Sequence, residues 1–218
     1  MTSTSPYEMS VSLNVINHLG LNLYSNIPAV LSEVVANAWD ADATHVSVDL
    51  DKAAGVVTVQ DNGAGMTLDD INARYLTVGY RRRDDVDPRT PIHKRPVMGR
   101  KGIGKLSLFS IARVIEVYTV KDGEKHAFRM KVEDIKNAIT GELADLTPYR
   151  PEKLSVEGID FTHGTRIVLS DLKKNITQTA SALRKRLARR FSVIDPSFIF
   201  SLSVNGEPVS HAVRDYLR

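Results

Sequence analysis

The stretch that decides the fold is residues 27–41, which read IPAVLSEVVANAWDA. Ser25 and Asn26 precede it as candidate N-caps, and Pro28 suits the first turn of a helix. The pattern predicts an amphipathic helix over Ile27–Asp40, with one face buried against the rest of the domain. The apolar residues at helical spacing are Val30, Leu31, Val34, Val35 and Ala38.

Polar residues form a second stripe on the same helix, made of Glu33, Asn37 and Asp40. At 100° per residue, this stripe is rotated roughly 120° from the centre of the apolar one. Residues one turn apart lie about 5–6 Å from each other, so a carboxylate and a carboxamide stand side by side. An isolated stripe of this kind is usually a solvated helix face. Two glycine-rich loops later in the chain favour a binding site instead.

Two strands are predicted next, Thr44–Leu50 and Val56–Gln60, joined by a turn through Asp51–Gly55. The second strand runs into a loop that reads Asp61-Asn62-Gly63-Ala64-Gly65-Met66. An ionised aspartate at the end of a buried strand can accept a hydrogen bond from an exocyclic amine such as that of adenine. The two glycines would let a base approach the backbone, and the methionine offers a soft apolar contact. Since D-N-G is also an ordinary turn sequence, the loop alone leaves both interpretations open.

The segment 79–105 shows no periodicity and ends in Gly99-Arg100-Lys101-Gly102-Ile103-Gly104-Lys105. A loop of this length inside a compact domain is usually a functional lid or a linker. It leads into a predicted helix, Leu106–Ala112, and glycines before a helix present N–H groups to anions. Lys101 and Lys105 add cations for phosphate. The P-loop spacing is not met, because Leu106 stands where Ser or Thr is needed, and a basic linker remains the alternative.

The rest of the chain mixes strands and helices without a regular βαβ alternation. This order predicts an α+β fold, a two-layer α/β sandwich. The predicted elements are strands Val114–Lys121, Lys125–Val132 and Thr165–Leu169, a helix within Glu133–Asp160, a basic helix Gln178–Phe191, and a hairpin Phe198–Val209. On the basic helix, a solvated charged face is favoured over a DNA-binding patch.

Composition excludes several classes of protein. With 218 residues, 42% hydrophobic and 25% charged, the chain is neither disordered nor fibrous. The absence of cysteine excludes disulfides, thiolate metal sites and a cysteine nucleophile. No stretch approaches the roughly 20 apolar residues of a membrane helix, and residues 1–10 lack a signal pattern. We therefore expect a soluble, cytoplasmic protein without a membrane partner.

Taken together, four motifs resemble the GHKL ATPase superfamily of gyrase, heat-shock chaperone, histidine kinase and MutL. They are the N box at residues 33–41, the G1 box at 61–66, the G2 lid at 99–105, and a Gly-Thr element at 164–165. The resemblance implies the Bergerat fold, in which ATP lies between a helical layer and a mixed, mainly antiparallel sheet. It also implies one ATP-binding domain over residues 1–218, with an ATP lid at 79–105.

The resemblance implies a role for each matching residue. Glu33 would be the general base that activates water, and Asn37 would bind Mg²⁺ through its side-chain oxygen. Asp61 would hold the adenine amine, assisted through water by Thr165, and Asp40 would orient the pocket. The other candidate contacts to the nucleotide are Gly63, Gly65 and Met66 in the first loop, and Gly99, Lys101, Gly102, Ile103, Gly104 and Lys105 in the lid.

A histidine kinase is not favoured, because Glu33 is present and only 32 residues precede it. The lid and the string Asn-Ala-Trp-Asp-Ala-Asp look closer to the heat-shock-chaperone-like and MORC-like branch. The resemblance implies a nucleotide-dependent homodimer in which residues 1–23 act as an exchange arm. Gyrase and MutL relatives supply a lysine to the γ-phosphate from a following domain, so we expect this chain to be the N-terminal part of a longer protein.

The predicted function is Mg²⁺-dependent ATP binding and hydrolysis that drives lid closure and dimerisation. One alternative is a nucleotide-gated interaction module that does not hydrolyse ATP. Another is an ATPase clamp of a DNA-processing or defence system, for which DNA would be a partner.

Overall fold

The computed structural model describes residues 5–9, 27–77, 89–99, 104–140, 149–173, 180–191, 194, 198–210 and 212. The helices in this part are α1 Ile27–Asp40, α2 Leu68–Asp70 (continued by a π-helical turn Ile71–Tyr75), a 3₁₀ helix Gly104–Ser110, α3 Val132–Thr140 and α4 Ala180–Arg190. The strands are β1 His45–Asp51, β2 Val56–Asp61, β3 Ala112–Lys121, β4 Glu124–Lys131, β5 Glu152–Lys153, β6 Gly164–Leu172, β7 Ser201–Val204 and β8 Glu207–Pro208.

The eight strands form one sheet in the order β5-β4-β3-β6-β2-β1-β7-β8. Every neighbouring pair is antiparallel except β1 with β7, which is parallel. The main hydrophobic core joins one face of this sheet to the buried sides of α1 and α4. The predicted α+β class, with a mixed and mainly antiparallel sheet, is confirmed.

Helix α1 buries its predicted apolar stripe and ends in a Schellman motif. Asp42 takes a positive φ of 60° just after the helix. The N–H of Ala43 donates to the Ala38 carbonyl at 3.0 Å, and the N–H of Asp42 donates to the Trp39 carbonyl at 3.0 Å. These bonds satisfy carbonyls at the end of the helix and turn the chain directly into β1. The candidate caps Ser25 and Asn26 lie outside the described residues.

The predicted helix Leu106–Ala112 begins and ends two residues earlier than predicted, and it is of the 3₁₀ type. The structure has a 3₁₀ helix over Gly104–Ser110, and Ala112 already pairs with β6. Ser107, Leu108 and Phe109, three consecutive residues of this helix, are all buried. Over a segment of seven residues, hydrophobic periodicity cannot separate 3.0 from 3.6 residues per turn.

Most other boundaries agree with the predictions to within about three residues. Thr67 caps α2 in a capping box with Asp70. Within the candidate exchange arm only residues 5–9 are described. There Tyr7 and Met9 are buried, and the Met9 N–H donates to the Tyr149 carbonyl at 2.7 Å. Among the described helices, none combines the length and the apolar character that a membrane crossing requires.

Candidate nucleotide-binding site

A row of polar side chains crosses the helix-facing side of the sheet. The strand register places Asp61 of β2 opposite Thr165 of β6, and Thr165 opposite Thr119 of β3. The buried Thr119 hydroxyl lies 3.2 Å from the Thr165 hydroxyl and donates to the Gly164 carbonyl at 3.1 Å. It also accepts the Met66 N–H at 3.0 Å. Thr119 therefore ties the predicted adenine-binding loop to the predicted Gly-Thr element.

Sequence reasoning missed Thr119. It lies in the middle of a run of strand residues, where a threonine is an ordinary β-former. Only the register across β3 and β6 reveals that it faces Thr165.

The Asp61 carboxyl group lies at the β2 end of this polar row. Its Oδ1 atom accepts the Gly63 N–H at 2.8 Å. Burial raises the pKa of Asp61 to about 6, opposed by the backbone N–H groups of Gly63 and Thr165 and by the charge of His163. At neutral pH most of this carboxyl is ionised although it is poorly solvated, which makes it a strong acceptor for an amine.

The glycines of the 61–66 loop are required by the chain's own backbone. A Cβ atom on Gly63 would lie 2.7 Å from the Ala41 carbonyl oxygen. Gly65 has a φ of +66°, and a Cβ atom there would lie 2.0 Å from the Val120 carbonyl oxygen. The absence of a Cβ atom at both glycines thus lets the loop pack tightly against the α1–β1 connection and β3.

Asn62 is a second residue whose part sequence reasoning did not identify. Its Oδ1 atom accepts the N–H groups of Thr44 at 2.9 Å and His45 at 2.8 Å. The N–H of Ala64 donates to the Ala41 carbonyl at 2.8 Å. Together these bonds attach the loop to the residues that follow α1. The D-N-G turn was a signal for this asparagine, but it did not indicate what the side chain would bind.

Glu33 and Asn37 stand one turn apart on the solvent-facing flank of α1. The Glu33 side chain is 29% exposed, and its Oε1 atom lies 3.6 Å from Nη2 of Arg190 on α4. Asn37 is exposed, and its side chain makes no hydrogen bond to another described residue. The Asn37 side-chain oxygen is therefore available to a hard cation such as Mg²⁺, which prefers oxygen ligands.

Asp40, by contrast, turns into the protein and is only 4% exposed. Its Oδ1 atom accepts the Met98 N–H at 2.7 Å, and Oδ2 accepts the Gly99 N–H at 2.8 Å. A Cβ atom on Gly99 would lie 2.8 Å from this Oδ2. Both oxygens of the carboxylate are thus engaged with the backbone where the predicted phosphate-binding loop begins.

The end of α1 holds the whole segment 89–99, which we call the lid root. Asp42 accepts the N–H groups of Ile92 at 2.8 Å and His93 at 3.0 Å. The Trp39 indole donates to the Pro96 carbonyl at 2.9 Å.

Arg95 adds a cationic contact to the same junction. It donates to the Ala43 carbonyl at 2.6 Å and to the Ile199 carbonyl at 3.0 Å. Its guanidinium group lies 4.5 Å from the centroid of the Trp39 ring. The aperiodic sequence of the lid root is therefore held by side chains rather than by secondary structure.

Three residues of the predicted lid, Lys101, Gly102 and Ile103, lie outside the described residues. For Gly104 and Lys105 only the backbone is described, at the start of the 3₁₀ helix. Their predicted contacts with phosphate stay predictions.

A separate cleft of about 460 Å³ opens on the opposite face of the sheet, at the ends of β1 and β2. Its lining includes His45, Ser47 and Gln60, which alternate with the residues that face the helices. The loop 160–163 forms its far wall. Asp61 and Asn62 also belong to its lining, so this cleft borders the predicted adenine-binding loop from the other side of the sheet.

Comparison with known proteins identifies the family to which this chain is similar. A family model described as histidine kinase-, DNA gyrase B-, and HSP90-like ATPase matches residues 24–165. The chain is 43% identical over 215 residues to the "Putative type II restriction enzyme HgiDII" of Herpetosiphon aurantiacus, covering 99% of this chain and 34% of that protein.

Two further relatives are more distant. The DNA mismatch repair protein MutL of Neisseria meningitidis serogroup C is 27% identical over 202 residues, 90% of this chain and 28% of MutL. The chaperone protein HtpG of Mycobacterium avium is 27% identical over 203 residues, 78% of this chain and 31% of HtpG. The chain thus spans about a third of the length of the relatives it matches.

Since these relatives include both a chaperone and a mismatch repair protein, the heat-shock-like branch stays a prediction. The superfamily itself does not depend on that choice. The match covers the α1 helix, the 61–66 loop, the lid root and the Gly-Thr element, which carry the candidate site. On this evidence the chain belongs to the family of histidine kinase-, DNA gyrase B- and HSP90-like ATPases.

Proposed function

We propose that this chain binds ATP with Mg²⁺ on the helix-facing side of the sheet and hydrolyses it. The observation that carries the proposal is the polar row in which Asp61, Thr165 and Thr119 meet beside the 61–66 loop. A poorly solvated carboxyl group beside an apolar core is costly unless it serves a ligand.

At the adenine end, the Asp61 carboxylate accepts a hydrogen bond from the exocyclic amine. Thr165 assists through a water molecule, and Thr119 holds Thr165 and Met66 in place through its own bonds. The tight attachment of the loop keeps these groups in one arrangement before the nucleotide binds. Such preorganisation lowers the entropy that binding loses.

At the phosphate end, Glu33 is the general base. It takes a proton from a water molecule whose oxygen forms a bond to the γ-phosphorus, while the bond from that phosphorus to the β–γ bridging oxygen breaks. The products are ADP and inorganic phosphate, with the proton on Glu33. Asn37 would hold Mg²⁺, which supplies charge neutralisation for the phosphates when bound.

The lid is proposed to close over the phosphates through Gly99, Gly102, Gly104 and Lys105. Asp40 fixes the point at which this closure starts, because it holds the backbone of Met98 and Gly99. Closure excludes water and strengthens the electrostatic contacts inside the site. We further propose that closure favours a homodimer, to which residues 1–23 contribute.

Substitution of Glu33 and Asn37 tests this function. Glu33→Ala is expected to bind ATP with wild-type affinity and to lose hydrolysis, since the residue acts on water and not on the nucleotide. Asn37→Ala is expected to lose the Mg²⁺-dependent part of ATP binding. Calorimetry with and without Mg²⁺, together with a phosphate-release assay, measures both effects. Equal turnover by wild type and Glu33→Ala would refute the assigned base.

Size-exclusion chromatography of the same proteins tests dimerisation. Glu33→Ala with MgATP is expected to elute as a dimer, and wild type with ADP as a monomer. The same pair of assays identifies a non-hydrolysing, nucleotide-gated module. Such a module would change its oligomeric state with ATP but would show no single-turnover hydrolysis in the wild type.

A second candidate function is an ATPase clamp of a DNA-processing or defence system. One observation favours it: the relatives include a protein named as a restriction enzyme and a DNA mismatch repair protein. This candidate keeps the same nucleotide chemistry and adds DNA as a partner.

A further inference from the structure

We propose that Arg190 is a positioning residue for Glu33, an assignment that rests on the proposed function of Glu33 as general base. Nη2 of Arg190 lies 3.6 Å from Oε1 of Glu33. Within the described part of the chain, Glu33 has no other ion-pair partner. The contact joins two helices that are far apart in sequence.

Helix α4 is held in a fixed rotation, which sets the direction of Arg190. Leu183 and Leu187 are buried in the main core, together with Phe191, the residue that follows the helix. Near the middle of the helix, Arg184 donates from Nε and Nη2 to the Pro208 carbonyl, at 3.1 and 2.7 Å. With one face buried and its middle attached to β8, α4 packs against α1 and presents Arg190 to the flank that carries Glu33.

The pair is too exposed for stability to explain it. The Arg190 side chain is 50% exposed and the Glu33 side chain 29% exposed, and exposed ion pairs contribute little to folding. The ion pair can instead fix the orientation of the Glu33 side chain. A glutamate on a helix flank has several rotamers, and a general base acts only from the one that faces the attacking water. A nearby cation favours the ionised carboxylate turned toward α4 over the other rotamers.

The distance also indicates which property of Arg190 matters. At 3.6 Å the contact is longer than a hydrogen bond, so it acts through charge and not through the paired geometry of a guanidinium fork. A lysine at this position would keep the charge. A glutamine would keep much of the side-chain length but lose the charge.

The test compares Arg190→Gln, Arg190→Lys and a matched control, Arg186→Gln. Arg186 is an exposed arginine one turn earlier on the same helix, so its substitution removes the same charge from α4. Steady-state ATP hydrolysis gives kcat and KM, calorimetry gives the affinity for ADP, and thermal melting compares the folded states.

We expect Arg190→Gln to lower kcat about tenfold, since a misplaced general base loses part of its contribution to the rate. The KM for MgATP and the ADP affinity should stay near wild type, because Glu33 does not hold the nucleotide. Arg190→Lys should recover most of the lost kcat, and Arg186→Gln should match wild type. The two glutamine variants should melt at the same temperature.

A double substitution separates positioning from an independent effect. In a Glu33→Gln background, Arg190→Gln should cause no further loss of kcat, because the group that it positions is gone. An additional loss would overturn the assignment. So would a wild-type kcat in Arg190→Gln, a KM that rises as kcat falls, or a lysine variant as slow as the glutamine one.

The outcomes also distinguish this inference from the proposed function. If Glu33→Gln lowers turnover to a small residual rate while Arg190→Gln in the wild-type background does not reduce it, only the assignment of Arg190 fails. If the wild-type chain binds ATP but does not hydrolyse it, the proposed function fails and the assignment fails with it.

Discussion

Asp61 carries a carboxyl group whose burial raises its pKa to about 6, above the ordinary value of an aspartate. Because the folded-state pKa is the higher one, protonated Asp61 favours the folded chain, and that contribution is lost as the pH rises through about 6. At neutral pH the chain therefore holds an ionised group at a cost in stability. Such an arrangement is typical of a binding site, where a ligand offsets the cost.

Asp61 yields a prediction about pH. Between pH 7 and pH 5 the wild-type affinity for ADP should fall about tenfold, since nine tenths of a group with a pKa of about 6 is protonated at pH 5. Asp61→Asn should bind ADP weakly at both pH values, and it corrects for titration of the phosphates. Calorimetry at each pH measures the difference. Equal ADP affinity of wild type and Asp61→Asn at pH 7 would exclude Asp61 from adenine recognition.

The same carboxyl gives the opposite sign in nucleotide-free protein. As the pH falls from 7 to 5, the free energy of unfolding of the wild type should rise relative to Asp61→Asn. Urea denaturation at the two pH values measures this change.

At the scale of the elements, the junction between α1 and the lid root is the feature that the site depends on. Asp40 and Asp42 are two residues apart, on either side of the helix end, and each holds two backbone N–H groups of the lid root. The Schellman motif that ends α1 allows this, because it turns Asp42 toward the lid root while Asp40 still lies on the helix.

These two aspartates form a matched pair of test positions. Asp40→Asn and Asp42→Asn each replace one acceptor oxygen by a donor and leave a backbone N–H unsatisfied, so each should cost about 1–3 kcal/mol of stability. Urea denaturation measures this cost. Only Asp40→Asn should also weaken MgATP binding, because Asp40 holds Gly99, where the phosphate-binding loop begins. Equal MgATP affinity of the two variants would make Asp40 purely structural.

At the scale of the whole molecule, charge bears on the DNA-processing candidate. The net charge of +3 is small, but α4 carries several cations on its outer side. Arg184 and Arg190 bind within the chain, which reduces the basic surface that the sequence alone had suggested. Lys185 and Arg189 also have partners, so a test of a DNA interface on this helix removes the charges of Lys185, Arg186 and Arg189 together.

This candidate predicts duplex DNA binding that weakens as salt increases, since phosphate contacts release counterions. Replacing Lys185, Arg186 and Arg189 with alanine should reduce both the affinity and its salt dependence. Fluorescence anisotropy with a labelled duplex at several salt concentrations measures this. Absence of binding by the wild type at low salt would remove the candidate.

Much of the fold and half of the site could be predicted because their signals are local. The apolar stripe of α1 and the alternation in β1 each lie within a few residues, where helix and strand periods leave a direct mark. The motif at 33–41 and the glycine loop at 61–66 carry their chemistry in adjacent side chains. By itself the amino-acid sequence determined the α+β class and the superfamily, and it predicts Glu33, Asn37 and Asp61 as site residues.

Only the tertiary structure decided what these residues touch. The contact of Thr119 with Thr165 depends on strand register, the hold of Asp40 on Gly99 depends on the path of an aperiodic loop, and the approach of Arg190 to Glu33 depends on how α4 packs. Each joins residues that are 46 or more positions apart. Such contacts arise from the packing of whole elements, so no local pattern of the sequence records them.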